Sequence, residues 1–234
     1  MSDNRHMVRN SRAGSGAKDR PNPCAEEHAV LMKLLVDALG TGGVFLDVGA
    51  NIGFFVLPIA ELVGSEGRVL AFEPAPDAAH LLRSEARARG VLSRISLYEM
   101  ALSDEVGSLA LRADPAHPDD TTKRSLFIDD GPVVAEVPIR ALDELVGSGD
   151  VELPHGVDAV KIDVEGAEVR VLRGMRRTLE RHRPRMMVIE TIEGHLNRSG
   201  SSVADVDRFM RDLGYGRKTE VARGLELNAV FAPI

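Results

Sequence analysis

Val44-Phe45-Leu46-Asp47-Val48-Gly49-Ala50-Asn51-Ile52-Gly53 is the stretch that decides how this chain is read. A short apolar run, rich in β-branched and aromatic residues, meets an acidic residue and then two glycines four apart. The segment after it, Phe54 to Val63, is apolar and helix-compatible, with Pro58 as its one awkward member. Strand, tight glycine turn and helix, in that order, make the first βα unit of a nucleotide-binding sheet. Gly49 lets the chain turn sharply, and Gly53 lets helix and strand pack closely. Such a turn is expected to leave backbone N–H groups free at a helix N-terminus, facing a crevice.

The spacing bears on what sits in that crevice. A dinucleotide site reads G-x-G-x-x-G, with bare backbone approaching a pyrophosphate. Here Asn51 stands two after Gly49, and Asp47 stands just before the turn. A carboxylate there repels a pyrophosphate and suits the ammonium end of an amino acid. The stretch from Asp47 to Gly53 resembles the first motif of S-adenosylmethionine-dependent methyltransferases, whose ligand carries an amino-acid ammonium and a sulfonium. Taken alone, the motif also fits a purely structural turn.

Bulk properties narrow the classes. The 234 residues suit one α/β domain with additions, and 44% hydrophobic with 28% charged residues is ordinary for a globular protein. A formal charge of −7 leaves no basic excess to neutralise the phosphates of a nucleic acid. Cys24 is the only cysteine, so neither an intrachain disulfide nor a cysteine metal cluster is available, which suits a reducing cytoplasm. No apolar run approaches the roughly 20 residues that span a bilayer, and no signal-peptide core is visible. A soluble, cytoplasmic protein without membrane or nucleic-acid partners is expected.

Residues 1–22 are polar, Gly/Ser-bearing and locally basic, as in a disordered tail or a segment that orders over substrate. Residues 23–234 are expected to form the globular domain. Cys24 to Leu39 has apolar residues at helical spacing with Gly40 behind it, and His28 in it reads as a surface residue. Arg68–Phe72 reads as a second strand ending at Glu73-Pro74, and a helix follows from Asp77 to Gly90. Glu73 lies about 20 residues past the glycine turn, where a carboxylate meets the ribose hydroxyls of a nucleoside. It would otherwise cap the next helix. A third strand, Ile95–Met100, runs into Ala101-Leu102-Ser103-Asp104, which places Met100 and Ala101 at an adenine pocket or in a plain core turn.

Strands at 107–112 and 133–139 flank a long polar loop, residues 113–131, which reads as a substrate-facing flap or as disorder. A short helix begins at Ala141. A fourth strand, Asp158–Asp163, carries Lys161 and Asp163 on one side, since residues two apart in a strand point the same way. They form a structural pair, or Asp163 stands at the sheet edge beside the ligand's methionine part. Glu168 to Leu179 reads as one helix, Arg185–Glu190 as the fifth strand with Glu193 and His195 in the loop after it, Val203–Leu213 as a helix and Leu225–Phe231 as the last strand.

Asp47–Gly53, Ala71-Phe72-Glu73-Pro74, Ala101–Asp104, Leu142-Asp143-Glu144-Leu145 and Lys161-Ile162-Asp163-Val164-Glu165-Gly166-Ala167-Glu168 occur in the order and at the distances seen in the FkbM family of methyltransferases. Val188-Ile189-Glu190 is similar to that family's last core motif. The resemblance covers about residues 44–192. It implies a class I (Rossmann-like) α/β methyltransferase fold, with a seven-stranded, mostly parallel sheet and helices on both faces. It also implies S-adenosylmethionine as cofactor and, most often, O-methylation of a hydroxyl on a small molecule such as a natural product or sugar. Asp47, Gly49, Asn51, Gly53, Glu73, Ala101 and Asp163 are then the candidate cofactor-binding residues.

An aliphatic hydroxyl needs a base before it attacks. Asp163, Glu165, Glu190 and His195 are the candidates at the sheet's carboxyl edge; titration near neutrality favours His195, and position favours Asp163. Asp163 and Glu190 also make a pair that would hold a divalent ion, as paired carboxylates do in catechol-type O-methyltransferases. Two other readings stay open here: a nicotinamide-dependent oxidoreductase on a Rossmann sheet, and a non-catalytic S-adenosylmethionine-binding protein.

Overall fold

In a computed structural model the described residues are 23–153, 155–223 and 226–234; the segment 1–22, read above as tail or lid, lies outside them. The chain runs α1 (Pro23–Leu39), β1 (Val44–Val48), α2 (Val56–Leu62), β2 (Arg68–Phe72), α3 (Pro76–Ala88), β3 (Ile95–Tyr98) and β4 (Ala101–Leu102). It continues through β5 (Gly107–Ala113), β6 (Arg124–Ser125), β7 (Val133–Arg140), α4 (Leu142–Ser148), β8 (Ala159–Ile162), α5 (Glu168–Gly174) and α6 (Arg176–His182). It ends with β9 (Met186–Glu190), α7 (Glu193–Arg198), α8 (Val203–Asp212), β10 (Tyr215–Arg223) and β11 (Glu226–Pro233).

Seven strands form the main sheet in the order β10-β11-β9-β8-β1-β2-β3. β11 pairs antiparallel with both neighbours, and the other pairings are parallel. Parallel strands buried on both faces read as continuous apolar runs, and β1 and β8 have every residue buried. Alternation sorts their side chains. Val44, Leu46, Val48, Val160 and Ile162 pack with residues of α4 to α8, while Phe45 and Ala159 pack with residues of α1 to α3. The same alternation turns Asp47 and its register partner Lys161 toward the α1–α3 face.

A second sheet, β4-β7-β5-β6, is inserted between β3 and α4. Here the structure departs from the expected third strand, which stops at Tyr98. Ala101 and Leu102 instead pair with Ile139 and Arg140 of β7. Apolar residues of the small sheet, Leu111 and Val137, pack on Ala75 and Ala78 at the start of α3.

Other boundaries moved for identifiable reasons. α2 starts at Val56, not Phe54, and Pro58 falls in its first turn, where a missing N–H costs nothing. The helix expected over Glu168–Leu179 is two helices, because the Asp143 carboxylate accepts the N–H groups of Arg177 and Thr178 at 2.8 Å and starts α6 afresh. His195 lies in α7, not in a loop. β10 was not foreseen: its sequence alternates charged and small residues, and its strand pairing with β11 is what defines it.

Tyr215 ties that hairpin to the core, with 2% exposure and its hydroxyl donating to the Pro184 carbonyl at 2.8 Å. Tyr215→Phe leaves that acceptor without its donor and is expected to cost about 1–2 kcal/mol. A urea midpoint measured on both proteins checks this; an unchanged midpoint would mean the bond adds nothing to stability.

Candidate active site

The chain leaves β1 toward β2 and β3 and later returns to β8 on the other flank of β1. Ligands bind in such sheets outside the carboxyl ends of the strands where the order reverses. A crevice of about 800 Å³ opens there, within the roughly 300–1,000 Å³ typical of small-molecule sites. Gly49 forms its floor at φ 87°, and a β-carbon on it would lie 1.8 Å from the carbonyl oxygen of Asp163. Glycine is required there because the β1 turn and the end of β8 touch backbone to backbone.

The turn itself differs from expectation. Gly49 and Ala50 donate to the Phe72 carbonyl at 2.9 and 3.0 Å, and Gly53 donates to the Ala50 carbonyl at 2.9 Å. Asn51 donates its backbone N–H to Glu73 Oε2 at 2.7 Å, and its own Oδ1 accepts from Ile52 at 2.7 Å. Every N–H from Gly49 to Gly53 is therefore used within the protein, so the turn is no anion cradle. Its bonds clamp β1 to β2.

Glu73 sits at the end of β2 with 6% exposure, its second oxygen accepting from Ala75 N at 2.7 Å. Glu73 lines the crevice and also holds the N–H of Ala75 just ahead of α3. Burial lifts its pKa to about 7, against the downward pull of the Ala75 and Asn51 N–H groups and the Arg124 cation.

On the adjoining strands, Lys161 is buried at 4% exposure and donates to Asp163 Oδ2 at 2.8 Å. Its ammonium also lies 4.9 Å from the Phe55 ring centroid. Burial pulls the Lys161 pKa down, but Asp163 and Asp47 outweigh it and the net shift is upward. Asp47, 1% exposed and raised to about 6 by burial, keeps an Oδ1 without a hydrogen-bond partner beside the crevice. The Lys161–Asp163 pair is one of the two readings made from the sequence, whereas the second carboxylate beside Lys161, Asp47, was not evident from the chain order.

At the other end of the crevice, His195 Nδ1 lies 2.9 Å from Glu165 Oε2 and 3.5 Å from Glu190 Oε2, in ion-pair contact without hydrogen-bond alignment. Glu165 and then Glu190 hold its pKa up to about 10, which removes the titration argument for His195 as a base. Burial and the nearby Asp163 push Glu190 well above the usual carboxylate range. Of the Asp163–Glu190 pair considered for a divalent ion, Asp163 bonds Lys161, and Glu190 lies with Glu165 and His195.

The 113–131 segment folds over the glycine turn. Asn51 Nδ2 donates to the Thr121 carbonyl at 3.0 Å, and the Thr121 hydroxyl donates to Asn51 Oδ1 at 3.2 Å. Arg124 makes a two-bond pair with Asp77, and the Ser125 hydroxyl donates to the Glu165 carbonyl at 2.8 Å. Opposite the flap, His28 stacks on Phe55 with ring centroids 4.1 Å apart, so it belongs to the crevice rim and not to the general surface. Met100 and Ala101 also line the crevice.

Sheet order, inserted antiparallel strand and switch-point crevice define a class I, Rossmann-like methyltransferase fold. The O-methyltransferase of Bacillus cereus superimposes with a TM-score of 0.53 at 15% identity, covering 93% of this chain and 84% of that one. Magnesium protoporphyrin IX methyltransferase of Synechocystis gives 0.53 at 11% identity, with 91% and 80% covered. More specifically, residues 47–216 match the methyltransferase FkbM domain, and the chain belongs to that family. This membership sets aside the nicotinamide oxidoreductase reading.

Among its relatives, hexuronic acid methyltransferase AglP of Haloferax volcanii is 32% identical over 64% of this chain. The 31-O-demethyl-FK506 methyltransferase FkbM of Streptomyces tacrolimicus is 35% identical over 58% of this chain. The matches span 57% and 61% of those two proteins, so the chain covers less than two thirds of these curated relatives.

Glu73 carries a pH signature. Its folded pKa of about 7 lies above its ordinary 4.5, so the stability it contributes is complete below about pH 4.5 and is lost as pH rises through about 7. Glu73→Gln stays neutral throughout. The stability difference between parent and variant is therefore expected to move in favour of the variant from about pH 5 to 8, as read by urea unfolding at several pH values. A difference independent of pH would refute the shift.

Proposed function

We propose that this chain is a cytoplasmic S-adenosylmethionine-dependent O-methyltransferase that acts on a hydroxyl of a small molecule such as a sugar or natural product. One observation carries the reading: at the switch point, two buried carboxylates at adjacent strand ends face a ligand-sized crevice whose turn has no free N–H for a pyrophosphate. The names of relatives support the acceptor class, since they include a hexuronic acid methyltransferase, a 31-O-demethyl-FK506 methyltransferase and the 2-O-methyltransferase NoeI of Sinorhizobium fredii. The net charge of −7 argues against a nucleic-acid acceptor, and the single cysteine favours a reducing compartment. No helix among the described residues is long and apolar enough to cross a membrane.

The cofactor, when bound, supplies a methyl group on a sulfonium, which is an excellent leaving group. Asp47 fits the ammonium end, because its Oδ1 is buried and lacks a hydrogen-bond partner. Glu73 accepts from the ribose hydroxyls; the N–H groups of Asn51 and Ala75 hold its carboxylate in place beforehand. Met100 and Ala101 flank the adenine. Gly49 and Gly53 keep the turn tight, and Asn51 fastens the flap over it through Thr121.

What is left for the protein is to align acceptor oxygen, methyl and sulfur, and to take the hydroxyl proton. Asp163 takes it. Its side chain is 31% exposed, lines the crevice, and is fixed by Lys161 from below. His195, with its pKa at about 10, carries a proton at neutral pH and is not the acceptor of another.

Glu73→Ala is expected to weaken binding of S-adenosylhomocysteine by about 1.5–3 kcal/mol, the scale for a hydrogen bond to a charged group. Calorimetry on the folded variant measures this, and unchanged affinity would sink the proposed ribose site.

Asp163→Asn is expected to slow single-turnover methyl transfer by about 10²–10⁴ while sparing donor affinity. Turnover that survives per folded molecule, together with a lowered melting temperature, would reduce Asp163 to the structural partner of Lys161.

A further inference from the structure

Glu165, Glu190 and His195 offer one ligand atom each, and these three atoms lie within 4.8 Å of one another. They come from separate elements. Glu165 sits in the turn after β8 at a positive φ of 56°, Glu190 ends β9, and His195 is in α7. The next residue, Gly166, passes so close to α7 that a β-carbon would lie 2.5 Å from the His195 carbonyl oxygen. The backbone thus brings the turn against the helix, and Glu165 takes a left-handed conformation that non-glycine residues seldom adopt.

The second observation is polar. Glu190 is 6% exposed, and its Oε2 has no hydrogen-bond partner, though it faces His195 Nδ1 at 3.5 Å. That nitrogen also has no aligned partner. Buried polar atoms are nearly always satisfied, so a Glu190 oxygen and a His195 nitrogen in ion-pair contact without a hydrogen bond point to a further group beside them. Charge indicates its sign. Besides its burial, Glu190 feels the negative charges of Asp163, Glu165 and Glu168, and the imidazole opposes them.

We infer that this cluster is a binding site for a divalent transition-metal cation of the Mn²⁺ or Zn²⁺ kind. Carboxylate oxygen mixed with imidazole nitrogen suits such ions better than Mg²⁺ or Ca²⁺, which favour all-oxygen shells. The size fits as well. Ligands held at about 2.1 Å from an ion stand about 3.0–3.4 Å apart, close to two of the three separations, the 2.9 and 3.5 Å from His195 Nδ1 to the two glutamates. Three protein ligands leave positions open, and all three residues line the crevice.

On the methyltransferase reading, the open side faces the incoming hydroxyl. Metal binding there releases the proton that His195 otherwise holds, and a bound cation would polarise the acceptor oxygen while Asp163 removes the hydroxyl proton. The ion-binding site itself does not depend on that reading.

Mn²⁺ titration of the full chain, followed by electron paramagnetic resonance, is the test. Saturable binding of a single Mn²⁺ is expected, weakened in Glu190→Gln and in Glu165→Gln. The loss should reach at least the roughly 10–100-fold seen when a metal ligand loses an outer-shell partner. Circular dichroism and S-adenosylhomocysteine calorimetry on the same variants register fold and donor site separately. No saturable Mn²⁺ binding by the parent, or binding unchanged in both folded variants, overturns the inference. A chain that binds the nucleoside but not Mn²⁺ refutes this site alone. One that binds Mn²⁺ but not the nucleoside supports the site and removes the methyltransferase reading.

Discussion

A lysine ammonium with 4% exposure lies in the middle of a parallel sheet, and its neutralisation constrains everything around it. Removing such a charge from water costs several kcal/mol unless partners surround it. Lys161 has Asp47 as its register partner on β1 and Asp163 two residues further along its own chain. The pairing with Asp47 holds only if β1 and β8 are neighbours in this register. A slip of one residue would turn Lys161 to the other face and strand it among Leu46, Val48 and Leu172. The buried charge thus selects one alignment of the two strands that form the floor of the crevice.

The same alignment makes Gly49 indispensable, since the backbone at Asp163 rests on it. The turn's N–H groups then fold back on β2 and Glu73 and are not held open for a ligand. Glu73 consequently serves two masters. It accepts from the backbone N–H of Asn51 in the glycine turn and of Ala75 ahead of α3, and offers its remaining lone pairs to the crevice. Carboxylates placed like this are pre-positioned, and burial makes their charge costly until a donor arrives.

The small sheet inserted after β3 gives the site its roof. Its strand β6 and the segment before it reach the glycine turn through Thr121 and the Glu165 turn through Ser125. One element therefore contacts both the nucleotide-side turn and the cluster around His195. The two halves of the crevice are joined through this flap as well as through the main sheet.

Much of this was legible in the chain. The β-branched runs, glycine turn, Glu73 at its distance and Asp163 at a strand end followed from local pattern, because strand period, turn geometry and strand ends are short-range properties. The seven-stranded, mostly parallel sheet and the family followed from motif resemblance, and the order of the strands did not. Other features were not legible. Tyr98 ends β3 early because Ala101 and Leu102 find a partner in β7, dozens of residues away. Asp143 divides one helical run in two from a different helix. His195 looked like a free, near-neutral imidazole, and it is a cation wedged against Glu165 and Glu190. Periodicity and turn chemistry act within a few residues, so the sequence by itself determined the strands and the glycine turn. Protonation, partner choice and the destination of each turn N–H depend on groups that meet only through space, and those the tertiary structure alone decided.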